Sequence, residues 1–359
     1  VGEISDRRVF LSRVAGAGLA AGFGMTGVLK AAADQLKSKP DVILHRGGYP
    51  GWPWVARAGD KRLVCVFRDD GVHGFSATGR VMWTASGDDG KSWSPARVVV
   101  DQAGVDDRNA AVLQLPDGRW MVCYNSYTKD HVSRSLVVVS ADRGASWGRP
   151  VMVAALDART RAAPLLLSSG DLLLPFYKAP GNGSLCGRSA NGGKTWDVVR
   201  VPDAEGFVGD EWSALEVEKG RLVGIIRNDG ARDGYFWKTE SGDGGRSWRR
   251  PVKTNVQSTR HPSPAHLDLH GKTPVLTYAD RRMVSVSMVT TRDADFVRWD
   301  VDGRLPCYRY RADGEPIADA SYPASVAVGP HRRFIVDYEI RPEGKWIAGY
   351  FVDLPGGWV

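Results

Sequence analysis

The chain has 359 residues, 43% of them apolar and 25% charged, an ordinary globular composition with length enough for a large core. The formal charge of +7 is a mild bias toward anionic ligands. The basic residues are interspersed with acids and form no basic arm, which excludes DNA or RNA as a partner.

In chain order, the first feature is Asp6-Arg-Arg-Val-Phe-Leu-Ser12, followed by a Gly/Ala-rich apolar stretch from Val14 to Leu29 and by Ala31-Ala32-Ala33. Paired arginines, a weakly hydrophobic segment and a small-residue cleavage site make residues 1–33 an expected twin-arginine export signal, cut after Ala33. Residues 34–40 are then a linker and 41–359 the folded domain. No other stretch approaches membrane-span length, so the expected location is the periplasm or the outside of the cell, without stable membrane insertion after cleavage.

Beyond the linker the chain repeats. Ser86-Gly-Asp-Asp-Gly-Lys-Ser-Trp93, Ser140-Ala-Asp-Arg-Gly-Ala-Ser-Trp147, Ser189-Ala-Asn-Gly-Gly-Lys-Thr-Trp196 and Ser241-Gly-Asp-Gly-Gly-Arg-Ser-Trp248 are one pattern, and Asp88, Asp142, Asn191 and Asp243 follow one another at 54, 49 and 52 residues. That period is too long for a helical solenoid and right for a four-stranded blade. The side chain of the Asp or Asn can accept from backbone N–H groups in a hairpin, the glycine takes a positive φ, and the Trp packs on the returning strand. Ahead of each box stands a pair of apolar strands, such as Ala111-Val-Leu-Gln-Leu115 and Trp120-Met-Val-Cys-Tyr124. Thr291-Arg-Asp-Ala-Asp-Phe-Val-Arg-Trp299 reads as an eroded fifth box, and a sixth unit runs from Tyr322 to about Leu354 without one. The expected architecture is all-β, a six-bladed β-propeller whose last blade is closed by Asp41-Val-Ile-Leu-His45, with residues 300–320 as a rim loop.

Cys65 and Cys123 sit inside apolar strands as small core residues, while Cys186 and Cys307 are left as a possible pair. His266 and His270 lie on one strand face and read as solvated rim residues. No metal signature and no cofactor motif is present in the sequence.

In a propeller, residues at the starts of inner strands and on their connecting loops converge on one mouth. Those positions hold Arg46, Arg57, Arg68, Asp69, Asp70 and His73, then Asp106, Asp107, Arg108 and Asn109, then Arg159 and Arg161. Later blades add Asp210, Glu211, Arg227, Arg260, His261, Arg281, Arg282, Tyr322, Asp337 and Glu339. Several arginines around one pocket suit a carboxylate, which a guanidinium fork binds with two parallel charge-assisted bonds.

The boxes resemble the Asp-boxes of sialidases and related BNR-repeat proteins, and the resemblance extends to single residues. Glu211 in Gly-Asp-Glu-Trp, Arg227 in Ile-Ile-Arg-Asn, Arg281 or Arg282, and Tyr322 in Ser-Tyr-Pro match the family's Glu, two carboxylate-binding arginines and nucleophilic Tyr. The resemblance implies retaining glycoside cleavage of a terminal acidic sugar. Glu211 accepts the phenolic proton, Tyr322 attacks, and an acid of the first blade, Asp70 with Asp69 and His73 as rivals, protonates the leaving oxygen. Asp107 is a further candidate that a strand-capping role would equally explain, and Glu211 with Arg227 would equally suit a structural ion pair. The family's first arginine, in an Arg-Ile-Pro-like motif, is missing: Tyr49-Pro-Gly-Trp-Pro-Trp54 has Gly51 in its place, and Arg46, Arg57 or Arg68 is the available replacement. Two alternatives stay open. One is a uronate-linked glycosidase or a rhamnose-glucuronate-type lyase that uses His261 or His73 with Tyr322; the other is a propeller that only binds acidic glycans.

Overall fold

The computed structural model describes residues 36–155, 157–178, 183–229, 233–259, 262–281, 283–310 and 321–358. The expected export signal at 1–33, Arg260, His261 and Arg282 lie outside these described residues. Six antiparallel sheets form the blades of a propeller. The inner strands, in order, are Gly51–Arg57, Asp106–Gln114, Ala158–Thr160, Gly209–Glu218, His266–His270 and Ala324–Gly329. The sixth sheet draws its outer strand from the other end of the chain: Val42–Arg46 pairs with Gly344–Asp353, Val42 opposite Gly349 and Arg46 opposite Trp346. This closure supplies the sixth blade with its fourth strand.

The box pattern is a clasp between blades. In the first box Asp88 Oδ1 accepts from Ser86 Oγ at 2.7 Å and from the Ser92 N–H at 2.9 Å, and the Trp93 indole donates to the Gly90 carbonyl at 3.0 Å. These hydrogen bonds, those from Ser92 foremost, hold the Asp88 carboxyl down at about 2. Each box then leans on the preceding blade. Trp93 stacks on Phe334 of the sixth blade, Trp147 meets Trp83 of the first edge-on at 5.5 Å, and Trp248 donates to Cys186 Sγ of the third at 3.3 Å. The eroded fifth box keeps the geometry: Phe296 takes the glycine's left-handed conformation at φ 57°, and the Trp299 indole donates to its carbonyl at 3.1 Å.

Gly144 shows why this position of the box needs glycine. Its φ is 82°, and a Cβ there would come within 2.9 Å of the Trp83 ring, which is itself wedged between Trp120 and Trp147. Gly144→Ala is therefore expected to cost about 2–4 kcal/mol, the left-handed penalty plus overpacking. Gly118→Ala, at φ 86° with nothing within 4 Å of the new methyl, should lose only about 1–2 kcal/mol. Urea unfolding of both variants measures the difference.

Three expectations change. Residues 305–309 are not rim loop but the outer strand of the fifth blade, Leu305–Arg309, paired with Ser285–Met288; Pro306 at an edge strand disguised it. His266 and His270 are buried rather than solvated: His266 Nδ1 accepts the Ser325 N–H at 3.0 Å and His270 Nε2 meets the Pro330 carbonyl at 2.5 Å. All four cysteines are free and buried, with Cys186 and Cys307 on different blades, so they do not pair.

Candidate active site

A cavity of about 330 Å³ opens at the end of the propeller where the inner strands begin, lined by Trp52, His73, Arg108, Asn109, Tyr127, Arg159, Tyr177, Glu211, Arg227, Arg281 and Tyr322. A larger hollow of about 600 Å³ lies at the opposite end between the fourth and fifth blades, around Glu218, Arg221, Lys272 and the fifth box. That one is bordered by hairpins and box turns, and the smaller cavity, where arginines, Glu211 and two tyrosines beside Tyr322 converge, is the candidate site.

Irregular backbone aims several of these groups. The inner strands of blades one, two and four each shift register just after they begin, between Gly51 and Trp54, Arg108 and Ala111, and Gly209 and Trp212. Bulges of this kind re-aim side chains. They carry Trp52 and Asn109, both left-handed at φ 51° and 54°, and Glu211 into the cavity. Ser321, left-handed at φ 59°, turns the chain into Tyr322, and Asp337 holds that turn by accepting the Tyr322 N–H at 2.8 Å and Ser321 Oγ at 2.5 Å.

Arg227 stands at the centre. Its Nη1 donates to Glu211 Oε2 at 2.8 Å and to Tyr322 Oη at 3.3 Å, and its other face pairs with Asp229 at 3.2 Å. The roles of proton acceptor and nucleophile lead one to expect a direct hydrogen bond between Glu211 and Tyr322. Both face the one cavity, but the Arg227 guanidinium bridges them instead. Burial, and after it the charge of Glu211, pushes the Tyr322 phenol well up, while Arg227 and Arg281 pull the other way. The phenol is therefore neutral at rest. Beneath it lies Arg161, 3% exposed, whose Nη2 donates to the Tyr322 carbonyl at 2.9 Å and to that of Pro53 at 3.3 Å. Its carbon Cζ is 5.2 Å from the Tyr322 ring centre, and burial holds its pKa below the usual value.

Other candidates fall elsewhere. Asp70 is not among the cavity's lining residues: its Oδ1 accepts the Gly71 N–H at 2.7 Å. Asp69 is tied to His45 Nε2 at 2.8 Å. Of the proposed acids only His73 reaches the cavity, with Nδ1 3.2 Å from Tyr49 Oη. Burial, then Arg108, Arg68 and Arg281, lower its pKa. None of the three arginines suggested for the missing position enters. Arg46 rests over the Trp346 ring, Arg57 bonds the Ala327 carbonyl and Asp89, and Arg68, fully buried, holds Asp106 through Nε at 3.1 Å and Nη2 at 3.0 Å. Trp52, next to Gly51, occupies that wall instead.

Asp107 is also outside the cavity lining. Its two oxygens accept the Gln102 backbone and side-chain N–H groups at 2.8 and 2.9 Å, and burial pushes it up to about 7. A carboxyl raised on folding adds stability below its unfolded value of about 3.9, and that stability is lost as pH rises through the folded value. Asp337, pushed to about 6, and Glu339, to about 7, act in the same sense. The stability these three carboxyls contribute should be lost as pH rises from about 4 to about 7, opposed by His266, which burial holds down at about 4, and by His73, and Asp107→Asn should remove the Asp107 share of that loss in melting curves.

Tyr127 and Tyr177 were not singled out in the sequence. A signal was available: Tyr127, Tyr177 and Arg227 stand in the last two positions of the second strand of their blades and follow one another at intervals of 50 residues.

Comparison with known proteins agrees with this fold. The fold and its boxes define a sialidase-like propeller of the BNR-repeat superfamily. The BNR repeat-like domain matches residues 52–160 and 126–329, and the chain belongs to that family. A crystal structure of a protein of unknown function from Dyadobacter fermentans is 20% identical, with a TM-score of 0.75 over 89% of this chain and 99% of that one. The NanB sialidase from Streptococcus pneumoniae is 11% identical, with a TM-score of 0.71 over 90% of this chain and 71% of that one. A leech intramolecular trans-sialidase complexed with 2,7-anhydro-Neu5Ac is 10% identical, with a TM-score of 0.67 over 88% and 70%. No curated protein matches the chain in sequence. At these identities the likeness to solved structures establishes the fold.

Proposed function

We propose that the protein is an exported glycoside hydrolase acting on a terminal acidic sugar, with Tyr322 as nucleophile and Glu211 as the base that takes its proton. The observation that carries this reading is the Arg227 bridge between Glu211 and Tyr322 inside a cavity that Arg281 also lines. A substrate carboxylate competes with Glu211 for the Arg227 guanidinium. Once loosened, Glu211 accepts the phenolic proton while Tyr322 Oη bonds the anomeric carbon and the glycosidic C–O bond breaks. A neutral phenol suits a centre that already bears a carboxylate, where an anionic nucleophile would be repelled. Water then attacks the anomeric carbon, its proton going to the group that protonated the departing oxygen, and the bond to Tyr322 Oη breaks as Glu211 returns its proton to the phenolate. The departing oxygen takes its proton from His73 when that residue is protonated, and otherwise from water.

One observation favours a second reading, a uronate lyase. The lowered pKa of His73 keeps it neutral at pH 7, the state of a base rather than an acid. In that reaction His73 removes the proton beside the carboxylate, a carbon–carbon double bond forms, and Tyr322 protonates the leaving oxygen.

Chromogenic sialosides, glucuronides and uronate-capped oligosaccharides separate the two. Hydrolysis yields the intact acidic sugar, and elimination yields an unsaturated, ultraviolet-absorbing uronate. Turnover of neutral glycosides alone, or binding without turnover of any acidic one, would overturn both.

A further inference from the structure

The cavity has more positive charge than one carboxylate needs, and the excess is on one side. Arg227 is offset by Glu211 and Asp229. Arg108 and Arg159 come from the second and third blades, and the guanidinium carbon of each lies 5.0 Å from the Tyr127 ring centre. Arg108 also rests 4.9 Å over the Trp52 ring and pairs with Asp106, but Asp106 is already held by the fully buried Arg68. One carboxylate thus serves two guanidinium groups. Arg159 has no acidic partner among the described residues; its Nε donates to Ser133 Oγ at 3.2 Å. Both arginines rest on aromatic rings, and Arg108 Nη2 is further held by the His73 and Gly74 carbonyls and Asp106, so the donors that face the cavity are Arg108 Nη1 and the two Arg159 Nη groups. Burial depresses the pKa of His73, and Arg108, Arg68 and Arg281 add to it.

We propose that this wall is a second anion subsite, and that the substrate carries a sulfate or a second carboxylate, on the acidic sugar or on the group next to it, that docks between Arg108 and Arg159. The inference deepens the acidic-sugar reading and rests on it for the placing of the first carboxylate at Arg227 and Arg281. Tetrahedral or planar oxyanions are the ligands a pair of fixed guanidinium groups selects, and desolvation in a confined cavity strengthens each contact.

The test is calorimetric titration of the whole protein with glucuronic acid, its positional monosulfates, glucose monosulfates and uronate-capped disaccharides with and without sulfate. At least one sulfated uronate should bind about ten- to a hundred-fold more tightly than its unsulfated parent, the worth of one or two charge-assisted contacts. Arg159→Gln should erase that gain, so that the sulfated uronate loses about ten- to a hundred-fold more affinity than its unsulfated parent. Arg159→Lys should keep part of the gain, and a melting curve checks that both variants fold. If sulfate adds nothing at any position, or the gain survives in Arg159→Gln, the subsite is refuted while carboxylate binding by Arg227 stands. If sulfated sugars without a carboxylate bind and depend on Arg159 but uronates do not bind, the subsite stands and the acidic-sugar reading of Arg227 fails. If no sugar in the set binds, the subsite is refuted as well.

Discussion

Tyr322→Phe should abolish turnover and leave the fold intact. The hydroxyl makes one weak hydrogen bond, to Arg227 Nη1 at 3.3 Å, so its removal has little to cost in stability, well under about 1 kcal/mol. The ring itself stays packed against Tyr338 and over Arg161, and the backbone of the residue remains held by Asp337. For a hydrolase that forms a bond to this oxygen, kcat should fall by roughly a thousandfold or more, while binding of an acidic sugar is retained. Steady-state kinetics alongside calorimetric titration read the two separately. Residual activity within about tenfold of wild type would remove Tyr322 from the role of nucleophile.

Arg227→Met has the larger structural consequence. Glu211 is 3% exposed and pairs with Arg227 at 2.8 Å, so deleting the guanidinium leaves a carboxylate buried without its cation. Breaking a buried pair in this way costs about 3–5 kcal/mol. The same guanidinium pairs with Asp229, and it opposes the burial that, with Glu211 and Asp229, raises the pKa of Asp210. Arg227→Met/Glu211→Gln should therefore recover much of the lost stability, because the orphaned charge goes with its partner. Activity should not return in the double variant, since carboxylate binding and the proton acceptor are both gone. Chemical unfolding of the two single variants and the double one completes the cycle. Equal destabilisation by the single Arg227 and double substitutions would show that Glu211 does not depend on this pair.

By itself, the sequence determined the repeat, and with it the architecture. The box is a local device: a side-chain oxygen, a left-handed glycine and a Trp close one hairpin within eight residues, so each copy is legible wherever it occurs, and the spacing counts the blades. The order of apolar strands then gave the seam, because a ring needs a fourth strand for its last sheet and Val42–Arg46 was the segment left to supply it. Glu211, Arg227, Arg281 and Tyr322 were also legible, as polar residues at strand ends on one rim.

Only the tertiary structure decided which of the many rim residues meet. Inward and outward positions alternate along a strand, and a bulge reverses that alternation in a way no periodicity announces. The bulges near Trp52, Asn109 and Glu211 turn those side chains into the cavity, while Asp70, Asp107 and Arg68 spend their hydrogen bonds on Gly71, Gln102 and Asp106. The bridge that Arg227 makes from Glu211 to Tyr322 spans 95 residues of sequence at its longer arm and exists only because the ring closes. Long-range electrostatics of this kind depend on distances of a few ångströms between blades, which the sequence of any one blade does not contain.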